Sequence, residues 1–300
     1  MQTRWGLILL DKPSGPTSHD MVYAVRRGTG GQRVGHAGTL DPLATGLLVM
    51  CLGPATRLSE YLSGKDKRYQ ARVRLGQATN TYDSQGEVTE TRAAIPERAG
   101  VAAALAGFRG PQQQVPPAFS AIKRGGQKSY ELARRGEAVV LGARPITIFT
   151  LDLVEWEPPE LVLDVHCSAG TYIRSLAHDL GQQLGCGAHL CALRRTASGS
   201  LPLAEAVSLA TLQEAFAVGS WTQYLRPADS ALADWPAVNL SAEAAARVRR
   251  GLSVPREQGK AGPGAERLGR AYDPAGQFIA VLRADPAAGV WRPDKVFSVD

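Results

Sequence analysis

Gly35-His36-Ala37-Gly38-Thr39-Leu40-Asp41-Pro42-Leu43-Ala44-Thr45-Gly46 runs straight into the apolar segment Leu47-Leu48-Val49-Met50-Cys51-Leu52. Glycine at this density leaves the backbone free, and proline removes a donor, so residues 35–46 are predicted to be neither helix nor regular strand. Pro42 biases Asp41 toward an extended conformation. The segment therefore reads as a loop that holds a single carboxylate at the mouth of a buried strand, where a rigid scaffold can aim a reactive group. An Asp in such a loop can also be plain turn chemistry, its carboxylate bonding the backbone two residues on. Partners elsewhere in the chain have to decide.

The chain has 300 residues, enough to bury a sizeable core in one large domain or two unequal ones. Met1 to Leu10 is too short an apolar stretch to span a bilayer and lacks a signal-peptide cleavage pattern, and no later segment is apolar for long enough, so a cytoplasmic location is expected. Cys51, Cys167, Cys186 and Cys191 form no Cys-x-x-Cys pair and read as reduced, mostly buried thiols. Cys186 and Cys191 flank His189, but the fourth ligand and the usual spacing of a metal site are missing, so no metal is expected.

The formal charge of +6 favours a polyanionic partner. Lys65, Lys67, Arg68, Arg72 and Arg74 surround a lone Asp66. Lys123, Arg124, Lys128, Arg134 and Arg135 face only Glu131, and Arg247, Arg249, Arg250 and Arg256 recur near the end. Solvated helix faces usually mix signs, so these one-sign clusters predict phosphate contacts.

Outward from the loop, Leu7 to Leu10 reads as a strand, followed by a helix with Ser18 as N-cap that ends at Arg26-Arg27-Gly28, where the helix dipole favours cations. Tyr69 to Leu75 alternates as a half-buried strand with Arg72 and Arg74 outward. From about residue 87 to 144 the character changes to an Ala-rich helix after Pro96, then Gln112-Gln113-Gln114-Val115-Pro116-Pro117, which fits neither element, and a short helix near Ser129 to Arg135; the block reads as an inserted basic arm. Strands are expected at Ile146–Ile148, Leu151–Val154 and Leu161–Val165, and helices at Tyr172–Leu184 and Leu209–Phe216. A second unit begins near Asp234-Trp235-Pro236. It has a helix from Ser241 to Arg250 stopped by Gly251, a loop over Lys260–Gly264 and a strand at Phe278–Leu282. These elements alone say mixed α/β with antiparallel tendencies.

A second informative stretch is Gly170-Thr171-Tyr172-Ile173-Arg174, at the start of a helix after a strand, where an anion or a base can be received. A guanidinium near Asp41 would keep that carboxylate ionised and fix its direction. On these residues alone, Arg174 reads equally well as a surface cation and Tyr172 as a core residue.

Taken together, the motifs resemble the TruB family of tRNA pseudouridine synthases: Leu10-Asp11-Lys12-Pro13-x-Gly15-x-Thr17-Ser18, Gly35-His36-x-Gly38-Thr39-Leu40-Asp41-Pro42 with Ala44-Thr45-Gly46, Gly53-x-Ala55-Thr56-Arg57, Lys67-Arg68-Tyr69, Val115-Pro116-Pro117-x-Phe119-Ser120-Ala121-x-Lys123, Gly170 to Arg174 and Leu193-Arg194-Arg195. They come in the family's order over nearly the whole chain. The resemblance implies an α+β fold: a catalytic domain over 1–232 with a mixed, largely antiparallel central sheet flanked by helices, carrying the arm at about 87–144, and a small PUA-like β domain over 233–300 that binds RNA.

The resemblance further implies isomerisation of one uridine in the T-loop of tRNA, position 55, to pseudouridine by base flipping. Asp41 would be the catalytic aspartate, attacking the ribose or starting an elimination. Tyr69 would stack on the base and help deprotonate C5, Arg174 would pair with Asp41, and Tyr172 and Leu193 would line the uracil pocket. His36 would pack where the flipped base leaves its stack, and Lys12 with Pro13 would brace the pocket. The implied partner is the T-arm of tRNA, with no cofactor, membrane, obligatory protein partner or guide RNA, and a monomeric chain.

Three rivals are set beside this reading. The guide-RNA-dependent synthase shares the core, and the Pro-Pro-x-Phe-Ser-Ala-x-Lys segment argues for the stand-alone enzyme. A pure RNA binder has no physical need of Asp41, Tyr69 and Arg174 together. A glycoside hydrolase usually needs a second carboxylate, and Asp11 and Asp179 sit in no acid/base pattern, Asp179 reading as a helix-surface residue.

Overall fold

The computed structural model describes residues 4–120, 122–124, 126–135, 137, 139–256 and 268–297. Its frame is a ten-stranded mixed sheet. The order runs Val207–Ser208, Gly6–Lys12, Thr45–Leu52, Ala188–Ser198, Lys67–Leu75, Glu160–Cys167, Arg144–Glu157 and Gly110–Gln114, with Val34–Ala37 and Leu201–Pro202 attached at the side. Among the pairings in this sheet, only Gly6–Lys12 with Val207–Ser208 and Thr45–Leu52 with Ala188–Ser198 are parallel.

The apolar run after the Asp41 loop is continuous because its strand is buried on both faces. Leu48, Met50 and Leu52 join Ile8 and Leu10 against Met21, Val25 and Leu212, which come from the Ser18–Gly28 and Leu209–Ala217 helices. The alternate residues Leu47, Val49 and Cys51 join Leu7 and Leu9 against Leu232, Phe278, Val281 and Phe297. The last three belong to the C-terminal unit, a curled five-stranded sheet ordered Ala237–Asn239, Leu268–Tyr272, Phe278–Asp285, Val290–Val296 and Val254–Pro255. Trp5 stacks on Phe297 at 5.3 Å between ring centres, and Arg57 Nη1 donates to Val296 O at 2.6 Å. An apolar seam therefore joins this sheet to the back of the central one.

Several local expectations change. Gly35, His36 and Ala37 lie in the Val34–Ala37 strand, paired residue by residue with Cys51, Met50 and Val49. The neighbouring strand satisfies the backbone that glycine leaves free, so the true loop is only 38–44. Gln112 to Gln114 end the Gly110–Gln114 strand at the sheet edge, the one place where Pro111 is tolerated. The Arg98–Ala106 helix puts Val101, Ala104 and Leu105 into the main core, so the first part of the supposed arm is integral to the domain. Helix 18–28 is capped by Thr17, in a reciprocal box with Asp20, because the Ser18 hydroxyl is used elsewhere. The two short strands read near 146–154 are one bulged strand, Arg144–Glu157. The loop expected at Lys260–Gly264 lies outside the described residues, as does Ala121.

The charge clusters change most. Arg72 pairs with Glu155 at 3.3 Å and Glu160 at 3.4 Å, Arg74 pairs with Glu160 at 3.5 Å, and Lys65 pairs with Asp234. Lys67 is buried, its amine donating to Ser63 O at 2.8 Å. Near the end of the chain, Arg249 pairs with Asp273 and Arg247 donates to Ser253 O at 3.1 Å. Arg135 pairs with Glu137 at 2.7 Å, and the side chains of Lys123, Arg124, Lys128 and Arg134 lie outside the described residues. For Lys65, Arg72, Arg74 and Arg249, carboxylates distant in sequence supplied the missing sign. No helix among the described residues is long and apolar enough to cross a membrane.

Candidate active site

The site forms where the parallel strands Thr45–Leu52 and Ala188–Ser198 meet over only two register positions, Thr45 with Arg194 and Gly46 with Arg195. Arg195 also lies opposite Tyr69 on the other side. Contact is this close because Gly46 has no side chain. A Cβ there would sit 2.4 Å from Arg195 O, and its φ of +95° is left-handed besides.

The loop that carries Asp41 is held from behind. Ser18 Oγ donates to Leu40 O at 2.9 Å and accepts from Leu40 N at 2.8 Å. Gly15 N donates to Pro42 O at 2.9 Å, and Lys12 Nζ to Ala44 O at 2.8 Å and Pro13 O at 2.9 Å. Arg195 joins the two ends of the loop, Nη2 donating to Gly38 O at 2.8 Å and Nε to Leu47 O at 2.7 Å. Lys12 and Arg195 are both buried. Burial lowers the Lys12 amine to about 8, with Asp41 working in the opposite direction. Two buried cations thus spend their donors on main-chain carbonyls, which fixes the loop as a rigid mount.

In front, Asp41 Oδ2 meets Arg174 Nη2 at 2.9 Å. The Asp41 side chain is 42% exposed and that of Arg174 8%, so the carboxylate is open to a substrate while its partner is enclosed. Arg174 is aimed by further acceptors: Thr81 O at 3.2 Å, Phe119 O at 3.1 Å and the Asp83 carboxylate at 3.5 Å. Asp83 is buried and steadied by Thr81 Oγ1 at 2.6 Å and Gln85 N at 3.1 Å. A guanidinium presents its donors in a fixed fork, so holding one arm orients the other.

Tyr172 is the N-cap residue of the Ile173–Gln183 helix. The Gln114 amide holds it at both backbone groups, accepting from Tyr172 N at 2.8 Å and donating to Tyr172 O at 3.0 Å. Tyr69 is buried in its strand. Burial raises both phenols, with Arg195 acting against it at Tyr69, and Ser120, Arg144 and Arg174 at Tyr172. Leu193 is buried one strand away, its carbonyl accepting from Thr45 Oγ1 at 3.3 Å. His36 is half-buried on the adjoining strand, its Nδ1 enclosed without a partner, and burial lowers its pKa, with Arg195 and His19 adding to the effect. The structure therefore gathers Asp41, Arg174, Tyr69, Tyr172 and Lys12 in one electrostatic neighbourhood, with Leu193 and His36 on the flanking strands.

Sequence reasoning missed Asp83, Gln114 and the clamp made by Arg195. The available signals were an acid in the polar turn Asn80–Gly86 and a second arginine after Leu193, neither specific. The other acids do not complete an acid/base pair. Asp11 is held by Arg194 at 2.8 Å, and Asp179 is half-buried rather than on the open helix surface, which raises its carboxyl to about 6. His189 Nδ1 lies 2.9 Å from Gln77 O, and no group of three metal-ligating side chains occurs among the described residues.

Comparison with known proteins gives the same answer along most of the chain. Residues 26–173 match the model of the TruB family pseudouridylate synthase N-terminal domain, and residues 174–233 that of the tRNA pseudouridylate synthase B C-terminal domain. A relative from Pseudomonas putida named tRNA pseudouridine synthase B is 49% identical over 243 residues, 80% of either chain. One of the same name from Pseudomonas aeruginosa is 44% identical over 281 residues, 92% of this chain and 90% of the relative. Among solved structures, one described as a Cbf5-Nop10-Gar1 complex superposes with a TM-score of 0.76 at 26% identity, covering 98% of this chain and 85% of the other. An H/ACA RNP bound to a substrate RNA containing 2′-deoxyuridine gives 0.75 at 26% identity, with the same coverage. Identity at this level over most of both chains, together with a carboxylate mounted on a clamped loop against an enclosed arginine, shows that the chain belongs to the TruB family of pseudouridine synthases.

Proposed function

We propose that this chain isomerises the uridine at position 55 in the T-loop of tRNA to pseudouridine, acting as a monomer in the cytoplasm without guide RNA or an obligatory protein partner. The observation that carries the reading is the Asp41–Arg174 pair, 2.9 Å apart with the carboxylate open and the cation enclosed. The curated relatives supply the substrate class.

The uridine has to leave its stack to reach Asp41, at a cost of about a few kcal/mol that base and backbone contacts repay. The ionised Asp41 then opens the reaction, by attack on C1′ or by taking a proton from C2′. The C1′–N1 bond breaks, the uracil turns in a pocket walled by Tyr69, Tyr172 and Leu193, and C5 bonds to C1′ as the Asp41–C1′ bond breaks or, in the elimination, as the proton returns from Asp41 to C2′. C5 finally gives up its hydrogen to solvent as a proton, with Tyr69 stacked on the base and helping that transfer, and N1 takes up a proton. The sequence of steps is redox-neutral and asks for no cofactor. His36 packs beside the vacated stack and Lys12 braces the loop. Residues 233–300 serve as the RNA-binding unit beside a catalytic domain of residues 1–232 that carries the inserted basic arm within about 87–144.

The guide-dependent reading is weakened by identity, 26% to the Cbf5 complexes against 44–49% to the enzymes named tRNA pseudouridine synthase B. A hydrolase would need a second accessible carboxylate, but Asp83 is 4% exposed and bound to Arg174. The test is tritium release from a T-arm stem-loop labelled at C5 of uridine, with the purified chain alone. Release is expected. Tight binding without release would return the chain to the guide-dependent or binding-only class.

A further inference from the structure

Lys65, Arg72, Arg74, Arg135 and Arg249 of the sequence clusters meet carboxylates in the fold, and a further set of arginines outside those clusters remains to be explained. Arg26, Arg27, Arg33 and Arg57 are exposed, and none has a carboxylate partner among the described residues. The chain brings them together: Arg26 O accepts from Gly31 N at 2.8 Å, one residue before Gln32, and Arg33 O accepts from Gly53 N at 2.7 Å, at the start of the turn that carries Arg57. Gln32, Arg33 and Arg57 line a cleft of about 380 Å³ with Val296 and Phe297 of the C-terminal sheet. Inside it Gln32 Oε1 is enclosed without a hydrogen-bond partner among the described residues.

Helix 18–28 leads from the catalytic loop to this cleft. Its first residue, Ser18, holds Leu40, and its last turn carries Arg26 and Arg27. His19, Tyr23 and Arg27 are four residues apart and share one face. Tyr23 is 59% exposed, its ring packed edge-on against His19 at 4.7 Å. At about 1.5 Å per residue that face is about 12 Å long, room for three or four nucleotides at about 3.4 Å each. The helix dipole accounts for cations in the last turn. It accounts neither for Arg33 nor for an exposed tyrosine on the same face, and the single bond from Arg57 to Val296 O leaves its other donors open.

We infer that the outer face of helix 18–28 and the cleft at Arg33 and Arg57 form one binding track for the RNA strand flanking the target uridine. The arginines meet phosphates, and Tyr23 gives a sugar or base a stacking face. The track deepens the proposed function and rests on it for the identity of the RNA.

The test measures KM, kcat and filter-binding Kd on the C5-labelled stem-loop over a salt series. The variants are Arg26→Ala/Arg27→Ala, Arg33→Ala and Tyr23→Ala, with Arg98→Ala as control; Arg98 is also exposed and unpaired but lies on the Arg98–Ala106 helix. The expected result is a rise in KM and Kd of about tenfold for the double variant and about fivefold for each of the other two, with kcat within about twofold of the parent. The slope of log KM against log salt should flatten by roughly one per arginine removed, and Arg98→Ala should change little. On a loop-only oligonucleotide that lacks the stem, the variants should match the parent. Parent-like KM, Kd and salt slope in the variants would overturn the track, as would an equal effect of Arg98→Ala. A parent protein that binds the RNA but releases no tritium would sink the proposed chemistry instead, while the Kd series still decides the track.

Discussion

Arg174 and Arg195 are enclosed and direct their bonds to named protein acceptors, whereas Arg26, Arg27, Arg33 and Arg57 lie in the open without a counter-charge among the described residues. The same side chain serves two purposes by burial alone. An enclosed guanidinium cannot lose its charge, so each donor must find an oxygen, and those oxygens become fixed in turn. That geometry suits a site whose reacting carboxylate must not wander. An exposed guanidinium keeps most of its donors for a partner, even where, as at Arg57, one donor meets a main-chain carbonyl. Rate is expected to depend on the first set and affinity on the second.

Removing the charge that the enclosed set serves should have the largest effect. Asp41→Asn keeps the shape and abolishes the ion pair with Arg174. Turnover in the tritium assay should fall by at least about 10⁴-fold, roughly 5.5 kcal/mol of barrier, while Kd for the stem-loop stays within a few-fold. Appreciable residual turnover would remove Asp41 from the chemistry.

Loosening the clamp should come next. Arg195→Gln leaves Gly38 O and Leu47 O without their shared donor and opens a gap behind the loop. A stability loss of about 2–4 kcal/mol is expected in denaturant melts, with a fall in kcat rather than a rise in KM. A rise in KM alone would place Arg195 with the exposed set.

Asp179→Asn sharpens the contrast from the opposite side, because this acid has been buried without a described cation. Burial raises its carboxyl to about 6. The folded chain therefore holds that proton up to about pH 6, while the unfolded carboxyl releases it near 4. The stability this gives is complete at low pH and is lost as pH rises through about 6. At pH 7.5 the amide should stabilise the chain by about 1–2 kcal/mol, and near pH 4 the gain should vanish. A variant no more stable than the parent at pH 7.5 would mean that Asp179 has a counter-charge in solution.

The sequence carried the site further than it carried the charge pattern. Asp41, Tyr172 and Arg174 stand out because each sits at a break in the local pattern, a loop before a buried strand or a turn before a helix, whereas Tyr69, inside a regular strand, is named only through the family resemblance. Gly46 was visible too, but its reason was not: it admits the backbone of Arg195, which lies 149 residues further on in the chain. Asp83 stayed hidden for the same cause, since only folding brings its turn under Arg174. Arg72 and Arg74 misled because Glu155 and Glu160 reach them across strands. Gln112 to Gln114 misled because an edge strand accepts a proline that an inner strand would refuse.

By itself the sequence determined the local setting of the candidate groups, because glycine, proline and apolar runs constrain the backbone over a few residues, and the order of its motifs determined the family. Tertiary structure alone decided which cations are enclosed, which are neutralised and which stay free. Charge acts through space over several ångströms, and the order of residues along the chain does not record what lies across the sheet.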